Sequence, residues 1–544
     1  MNELGEKVVK RQEHLAADRS VWEEAWSELA DYVLPRRADF QIKRLAGEQR
    51  LRAGKVFDST PVLANEMLAA GLHSLLTNPD SDWFRLEMDD LAVNEIDAVK
   101  EWLEDARRRM ALVFQTPSSG FAPAMHELYM DLGAFGTGCM LIEDGVRFRT
   151  FHLAEIFPVE NQVGLIDTVY RRFSWTARQI AERFGEAVLP AEIKNAAAGM
   201  MGRGGHDKRP DKTFEIVHCV APRPVRDPRR LDNRNMAFMS VYVDVKTKTV
   251  LEDSGFREFP YVVPRWAKIP GEKFGRSPAW TMLPDIKMLN AMQKTVLKGA
   301  QKTVDPPLLI ADDGVIQPLS TVPGGLNYGG VDANGRQLVQ PLATGARIDI
   351  GLEMIERLRE HIRFAFMAPL MMTPDSPVKT ATEVVIERDE RLRLMSPVLG
   401  RLQTEFLGPL IERVFAILAR RGAFRSAPEV LQGRAFSVRY VSPVARAQRS
   451  GDLVEFARTM EMVGPMGALD PSVYDNFDFD KGAREISQIT GISAKFVRDP
   501  QEVEALRAAR EEAQQQQLAL QQAMEVAKAA GDAAPAIREL NAAV

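Results

Sequence analysis

Four lysines are spaced along one segment of the chain so that they could bind phosphate groups. Lys287, Lys294, Lys298 and Lys302 follow one another at intervals of 7, 4 and 4 residues. At about 100° per residue, a helix would place all four within a stripe about 80° wide. Such a stripe can make salt-dependent contacts with the phosphates of DNA. The same pattern is typical of a solvated helix face, so the spacing leaves both interpretations open.

Motifs of the common catalytic chemistries are absent from the sequence. The chain lacks the G-x-x-x-x-G-K-[ST] phosphate loop, the G-x-S-x-G nucleophile elbow and the H-E-x-x-H zinc motif. Its 7 histidines are scattered, and Cys139 and Cys219 lack the spacing of metal ligands. The glycine-rich residues 133–139 precede a predicted strand instead of following one, so we expect a turn and not a dinucleotide site. We therefore expect no catalytic residue, no metal site and no cofactor.

The bulk composition indicates a soluble protein with several packed regions. The chain has 544 residues, of which 45% are hydrophobic and 27% charged, and this length predicts roughly three or four regions. The net charge of -5 gives no overall attraction to nucleic acid. Two cysteines, a charged N-terminus and no apolar run of membrane length predict a protein made in the cytosol without a membrane anchor.

Helical and strand patterns both occur in the first half, so the predicted fold class is α+β, mainly helical. Helical periodicity predicts four helices, at residues 10–34, 62–77, 95–114 and 121–132, with Gly133 closing the last. Asp144-Gly145 between two β-rich runs predicts a hairpin, and more strand-like runs fill residues 213–266. Two Arg- and Gly/Pro-rich loops, residues 199–210 and 223–234, are surface loops or nucleic-acid contacts. Neither has an aromatic residue for base stacking, which favours surface loops.

Residues 275–422 have an unusual order of rods and loops. Ser277 as N-cap and Pro278 as first helical residue predict a helix that ends near Val304. Residues 305–345 are rich in Gly and Pro and predict a small β/turn module. A second helix is expected from about Ala346 to Pro369.

A loop with three prolines, PLMMTPDSPVKT, follows the second helix. Thr380 and Glu383 match the capping box and predict the start of a helix of about 40 residues that Gly422 ends. We expect Pro397 and Pro409 to bend this helix without ending it.

The C-terminal region divides into a compact helical part and a tail. The tail from residue 501 is built of strong helix formers with few large apolar residues. It is a solvated helix, one strand of an oligomeric helical bundle, or a disordered segment.

Five segments of the chain form a specific set: SDWFRLEM (81–88), MDLGAFGTGCMLIED (130–144), GEKFGRSPAWTMLPDIKMLN (271–290), TATEV (380–384) and ISQITGISAKFVRDPQEVEALRAAR (486–510). These segments resemble the portal proteins, the head-to-tail connectors of short-tailed phages (podoviruses). They span most of the chain in the family's order, whereas the tail after Arg510 matches in composition only. The resemblance implies a non-catalytic ring of twelve subunits around a DNA channel at one capsid vertex. Twelve copies at -5 each would carry -60, a charge that favours sliding of DNA over adhesion.

The resemblance also implies a division of the protomer into regions. These are the wing (1–274), first stem helix (275–304), clip (305–345), second stem helix (346–368), tunnel loop (369–379), long spine helix with a return to the wing (380–450), crown (451–500) and C-terminal helical tail or barrel (501–544).

Site residues and partners follow from the same resemblance. The tunnel loop would face DNA through Met371, Met372, Thr373, Pro374, Asp375, Ser376, Pro377 and Val378, with Lys379 as its narrowest ring of positive charge. The stem lysines Lys287, Lys294, Lys298 and Lys302 would line the channel or, if they face outward, contact the capsid or neighbouring stems. The clip would dock the packaging motor and then the tail through Asp312, Asp313, Asn327, Tyr328, Asp332 and Arg336.

The implied partners are other copies of the chain, double-stranded DNA, the terminase large subunit and a tail adaptor or tube protein. Major capsid, scaffolding and internal core or ejection proteins complete the set, and no membrane is involved. The protein would lie at the portal vertex of the virion, and in the host cytoplasm during assembly. Two alternatives stay open: a tail or baseplate adaptor ring without a packaging role, and an enzyme with an unrecognised site.

Overall fold

The computed structural model describes most of the chain with defined gaps. The described residues are 2–37, 40, 56–78, 82–88, 90–94, 96–198, 210–227, 229–230, 232–310, 320, 322, 324–326, 328, 330–331, 334–342, 348–371, 395–431, 438–441, 458–465, 470–480, 482–483, 486, 498 and 502–519. Contacts divide the chain into two units. The first comprises Met1–Arg85, Arg107–Phe424 and Arg439–Val444, and the second Leu86–Ala106, Arg425–Val438 and Ala445–Val544.

Helices dominate the described chain, and the predicted α+β, mainly helical class is confirmed. In chain order the α-helices are α1 (Asn2–Val33), α2 (Thr60–Leu76), α3 (Leu91–Asn94), α4 (Asp97–Gln115), α5 (Phe121–Phe135), α6 (Ala177–Phe184), α7 (Ala191–Ala197), α8 (Pro278–Val304), α9 (Ile348–Ala365), α10 (Ala368–Met371), α11 (Ser396–Leu402) and α12 (Gly408–Arg420). Residues 458–465 and 502–519 are also helical. None of the helices that the structure describes is long and apolar enough to cross a membrane.

The described strands form an antiparallel sheet of five strands and smaller sheets of two or three strands. The strands are β1 (Arg85–Met88), β2 (Met140–Glu143), β3 (Arg147–Thr150), β4 (Ile156–Glu160), β5 (Ile166–Thr176), β6 (Thr213–Pro222), β7 (Phe238–Asp244), β8 (Val250–Phe256), β9 (Tyr261–Val262), β10 (Leu308–Ile310), β11 (Val339–Pro341) and β12 (Val438–Val441). Strands β4 to β8 pair in sequence order, and β2 pairs with both β3 and β9. The hairpin predicted at Asp144-Gly145 is confirmed by the β2–β3 register.

Both faces of the five-stranded sheet are covered, because alternate residues of a strand point to opposite faces. On β6, Val217 and Cys219 pack with Val8 and Val9 of α1. Ile216 packs on the other face with Ile180 of α6 and with residues of α7. The sheet therefore lies between α1 and the α6–α7 pair, with an apolar core on each of its faces.

Two helix ends differ from the sequence prediction. Helix α5 continues through Gly133 to Phe135, and Gly136, at φ 78°, caps it. A Cβ at Gly133 would lie 2.0 Å from Asn65 Oδ1, so this glycine allows close packing of α5 on α2 instead of ending the helix. Helix α9 ends at Ala365, before the predicted stop, and Pro369 lies in the short helix α10.

The second unit contains local polar contacts. The Asn94 side chain accepts from the Met88 backbone N–H at 2.7 Å and donates to the Met88 carbonyl at 2.9 Å. Arg507 forms a bidentate ion pair with Asp480 at 2.6 and 2.7 Å. Residues 502–519 are exposed apart from half-buried Val503, which fits a solvated helix and one strand of an oligomeric helical bundle equally.

A buried histidine in the large sheet should make stability depend on pH. Burial lowers the pKa of His218 from 6.5 to about 3, and its ring lies between the hydroxyls of Tyr261 and Ser240, each 3.0 Å away. Between these two pKa values only the unfolded chain binds the proton, so falling pH reduces stability. We expect the stability advantage of wild type over His218→Gln to shrink by about 1.4 kcal/mol per pH unit below about pH 6.

Denaturant unfolding of wild type and variant at several pH values measures this effect. His14 is exposed on α1, so a His14→Gln variant should track wild type across the same range. A pH-independent difference between wild type and His218→Gln would show that His218 is protonated in the folded protein.

Candidate channel-forming and docking region

Two glycine-containing segments pack against each other where α8 begins. A Cβ at Gly136 would lie 2.5 Å from the carbonyl carbon of Arg276 and 2.6 Å from the Gly275 oxygen. A Cβ at Gly275 would lie 2.3 Å from the Gly136 oxygen. These distances are shorter than any van der Waals contact, so both positions require glycine.

Hydrogen bonds fix the same junction. The Gly275 N–H donates to Thr137 Oγ1 at 2.8 Å, and the Ser277 hydroxyl donates to the Ala134 carbonyl at 2.8 Å. Ser277 Oγ also accepts from the Trp280 N–H at 3.0 Å, which confirms the predicted N-cap. Residues 136–139 thus connect α5 to β2 and hold the start of α8, which confirms a turn there, whereas residues 133–135 of the predicted turn are the end of α5.

A buried ion cluster lies next to this junction. Arg265 is 1% exposed and donates to Glu405 from its backbone N–H at 3.2 Å, from Nε at 2.9 Å and from Nη2 at 2.7 Å. Its Nη1 also donates to Glu160, which Lys268 contacts as well. Burial alone would raise the pKa of Glu160, but hydrogen bonds from Lys268 and Arg265 lower it below its ordinary value. Because the partners come from distant parts of the chain, the cluster ties β4, residues 265–268 and the helix that carries Glu405 together.

Glu405 comes from a π-helical segment, Gln403–Leu407, between α11 and α12. Pro409 lacks an N–H, and in an α-helix its ring would clash with the carbonyl of Glu405. The wider π turn accommodates the proline, so the helix continues into α12. Helix α12 ends at Arg420, shortly before Gly422, which has φ 66°. The prediction that Pro409 leaves the helix unbroken is confirmed. Pro397 instead lies in the first turn of α11, so within the described residues it starts a helix and does not bend one.

The four predicted lysines lie on one exposed face of α8. Lys287 Nζ pairs with Glu28 of α1 at 2.5 Å, and Lys294 Nζ lies 5.2 Å from the ring centre of Phe57. Lys298 and Lys302 are exposed. The lysines share one face of α8, as predicted, but the part of this face that carries Lys287 and Lys294 contacts α1 and Phe57 of the same chain.

Helices α8 and α9 pack together as an antiparallel pair. A Cβ at Gly351 of α9 would lie 2.8 Å from Val296 Cγ2 of α8, and His361 Nδ1 lies 3.3 Å from Asp285 Oδ2. Residue numbers therefore rise along α9 as they fall along α8. Arg359 of α9 also pairs with buried Asp58 at 2.9 Å, which anchors the pair to the rest of the first unit.

The module between α8 and α9 contains a two-stranded sheet, as predicted. Strands β10 and β11 pair antiparallel, with Leu309 opposite Gln340. Leu309 and Ile310 are 54% and 53% exposed although they point to opposite faces. Tyr328 and Arg336 are exposed, whereas Asp312, Asp313, Asn327 and Asp332 lie outside the described residues. The sheet thus presents apolar surface on both faces of β10.

The predicted tunnel loop is largely outside the described residues. Met371 is the last residue of α10. Met372, Thr373, Pro374, Asp375, Ser376, Pro377, Val378 and Lys379, and the capping box from Thr380, are not described. Their assignment stays a prediction.

The described part of the chain holds no group of three or more His, Cys, Asp or Glu placed to bind a metal ion. Cys139 and Cys219 are buried, and burial raises the pKa of both thiols. Thiols in this state are poor nucleophiles at neutral pH.

Comparison with known proteins shows which protein family the chain matches. The model of the bacteriophage head to tail connecting protein family matches residues 6–497. A probable portal protein of Bordetella phage BPP-1 is 32% identical over 530 residues, which cover 95% of this chain and 92% of the relative. The portal protein of Salmonella phage epsilon15 is 31% identical over 550 residues, or 98% and 95% of the two chains.

Similarity to solved structures is weaker. A chain of the virion of a native gene transfer agent particle is 12% identical with a TM-score of 0.34, over 78% of this chain and 92% of the other. A chain from the neck of that kind of particle is 10% identical with a TM-score of 0.32, over 73% and 89%.

Proposed function

Because the chain belongs to the family of bacteriophage head to tail connecting proteins, we propose that it is the portal of a phage capsid. In this role it forms a ring, with twelve subunits, at one capsid vertex, and genomic DNA is packaged and ejected through the ring. The observation that carries the proposal is the match of two portal proteins over nearly the whole chain. The protein works by binding and positioning, without catalysis or a cofactor.

The order of elements in the first unit supports a stem and a clip. Two long antiparallel helices, α8 and α9, are joined by a module with a small sheet. In the proposed portal these helices are the stem, at residues 275–304 and 346–368, and the module is the clip. Residues 1–274 form the wing, 369–379 the tunnel loop, 380–450 the spine and wing return, 451–500 the crown and 501–544 the tail.

The exposed surface of the clip supports a docking role. Leu309 and Ile310 present apolar side chains on both faces of β10, and Tyr328 is exposed nearby in sequence. Exposed apolar surface of this kind marks protein interfaces. We assign this surface to the terminase large subunit during packaging and to the tail adaptor afterwards, while capsid, scaffolding and core proteins contact other surfaces.

Imaging of the purified full-length chain tests the proposed function. Negative-stain images and native mass should show closed rings of about twelve copies with an axial hole wide enough for duplex DNA. Monomers or dimers at micromolar concentration would contradict the portal assignment.

A charge reversal in the tunnel loop tests its contact with DNA. Lys379→Glu places a ring of carboxylates where the proposal has a ring of ammonium groups, so DNA phosphates are repelled. We expect rings to form normally and the amount of packaged DNA to fall severalfold, as measured by DNA content per particle. Lys194→Glu, at an exposed residue of α7, is the matched control. A normal DNA content in the Lys379→Glu particles would remove Lys379 from the channel contact.

A further inference from the structure

The contact between α8 and α9 fixes where charged residues lie around each helix. Lys294 and Lys298 are two residues before and after Val296, the α8 residue that meets Gly351. At about 100° per residue, both lysines lie about 160° around the helix from that contact. They therefore occupy the outer edge of α8, away from α9.

The same geometry places carboxylates on the opposite edge of the helix pair. Asp349 and Glu353 are two residues before and after Gly351, so they also lie about 160° from the contact, on the outer edge of α9. Both are exposed. One edge of the pair is thus basic and the other acidic.

The two edges also match in level along the helices. Val296 is level with Gly351 and the helices are antiparallel, so Lys294 is level with Glu353, and Lys298 with Asp349. Lys287 and Glu360 are level in the same way. The lysines 287, 294 and 298 are spaced by 7 and 4 residues, and so are the acidic residues 360, 353 and 349. A rotation about an axis parallel to the helices keeps these levels. It brings the basic edge of one copy against the acidic edge of the next.

We propose that Lys294 and Lys298 form ion pairs with Glu353 and Asp349 of the neighbouring subunit. Such a head-to-tail contact closes into a ring when the rotation between neighbours is a whole fraction of a full turn. The proposal rests on the proposed ring and names the residues that join its stems. It assigns these two lysines to the neighbouring subunit and not to DNA. Lys287 contributes less, because Glu28 of its own chain already binds it. Lys294 also lies over the Phe57 ring at 5.2 Å, Glu353 shares its charge with Arg357 at 2.6 Å, and Asp349 has an interaction within its own chain.

Charge reversal and mixing test the contact in the full-length chain. One variant carries Lys294→Glu and Lys298→Glu, so both of its edges are acidic. A second carries Asp349→Lys and Glu353→Lys, so both of its edges are basic. Each variant alone should form rings with at least about tenfold lower yield than wild type at equal concentration, since two attractive pairs become repulsive. A 1:1 mixture should restore rings in which the two variants alternate, as native mass of differently tagged chains measures.

Several outcomes would overturn the proposal. Rings formed by either variant alone at wild-type yield, or folded variants whose mixture gives no rings, exclude the pairing. Intact rings with reduced DNA content for the lysine-reversed variant would assign the lysines to DNA. If a reversed variant misfolds by circular dichroism, Lys294→Gln with Lys298→Gln should still lower the ring yield severalfold, and an unchanged yield excludes the contact. Failure of wild type to form rings would contradict the portal function itself.

Discussion

An Arg265→Met variant should lose about 3–5 kcal/mol of unfolding free energy, because removal of one member of a buried ion pair leaves the others uncompensated. Among the residues that the structure describes, Glu405 would keep Arg401, which contacts it at 3.0 Å, and Glu160 would keep Lys268. The Gly164 carbonyl, which accepts from Arg265 at 2.9 Å, would also lose this partner. The shift of the guanidinium unfolding curve of the full-length chain measures the loss.

Two further variants separate burial from charge. Arg357→Met removes an exposed ion pair with Glu353 and should cost less than about 1 kcal/mol. Adding Glu405→Gln to Arg265→Met should recover part of the loss, because the buried charge is then neutral. Equal small effects of Arg265→Met and Arg357→Met would show that Arg265 contributes no more than a surface residue.

The second large effect is expected from Gly136→Ala. The new Cβ would meet backbone atoms of Arg276 and Gly275 at 2.5 and 2.6 Å, and backbone atoms cannot rotate away as a side chain can. The residue also has φ 78°, which is costly for alanine. We expect a loss of about 3 kcal/mol or more, or failure to fold, measured by thermal unfolding and by the yield of soluble protein.

Gly120→Ala is the matched control for this substitution. Gly120 has a similar left-handed backbone, with φ 68° and ψ 20° against 78° and -2° at Gly136, but a Cβ there would lie 3.4 Å from the Phe148 oxygen, an ordinary van der Waals distance. Its cost should be only the about 1–2 kcal/mol of the left-handed backbone. If both variants lose the same stability, the backbone conformation and not the close approach accounts for the glycine at 136.

Local signals predicted the elements of the candidate region well. Ser277 and Pro278 marked the start of α8, and Asp144-Gly145 marked the β2–β3 turn, because caps and turns depend on residues next to each other in sequence. The predicted helix end at Gly133 was wrong, because the role of this glycine depends on a residue that is distant in sequence. Its missing side chain makes room for Asn65, which is distant in sequence.

Contacts between distant residues could not be predicted in this way. Arg265 and Glu405 are 140 positions apart, and nothing in either neighbourhood identifies the partner. Pro409 indicated an irregular helix. It did not indicate that a π-helical turn would accommodate the proline or that Glu405 of this turn would contact Arg265. The acidic edge of α9 was also missed, since its meaning depends on which residue of α9 meets α8.

The junction of Gly136 and Gly275 also bears on how freely this part of the sequence can change. The contact joins main chain to main chain, so it demands the absence of a side chain at these two positions and not a particular chemistry. A saturation library across residues 130–144 and 271–290 should therefore accept only glycine at 136 and 275, whereas buried positions such as Leu132 and Leu289 should accept apolar residues of similar size. Mutational tolerance would then mark the start of the first long helix by positions where residue size alone decides, a pattern that an active site, with its clustered chemical demands, does not produce.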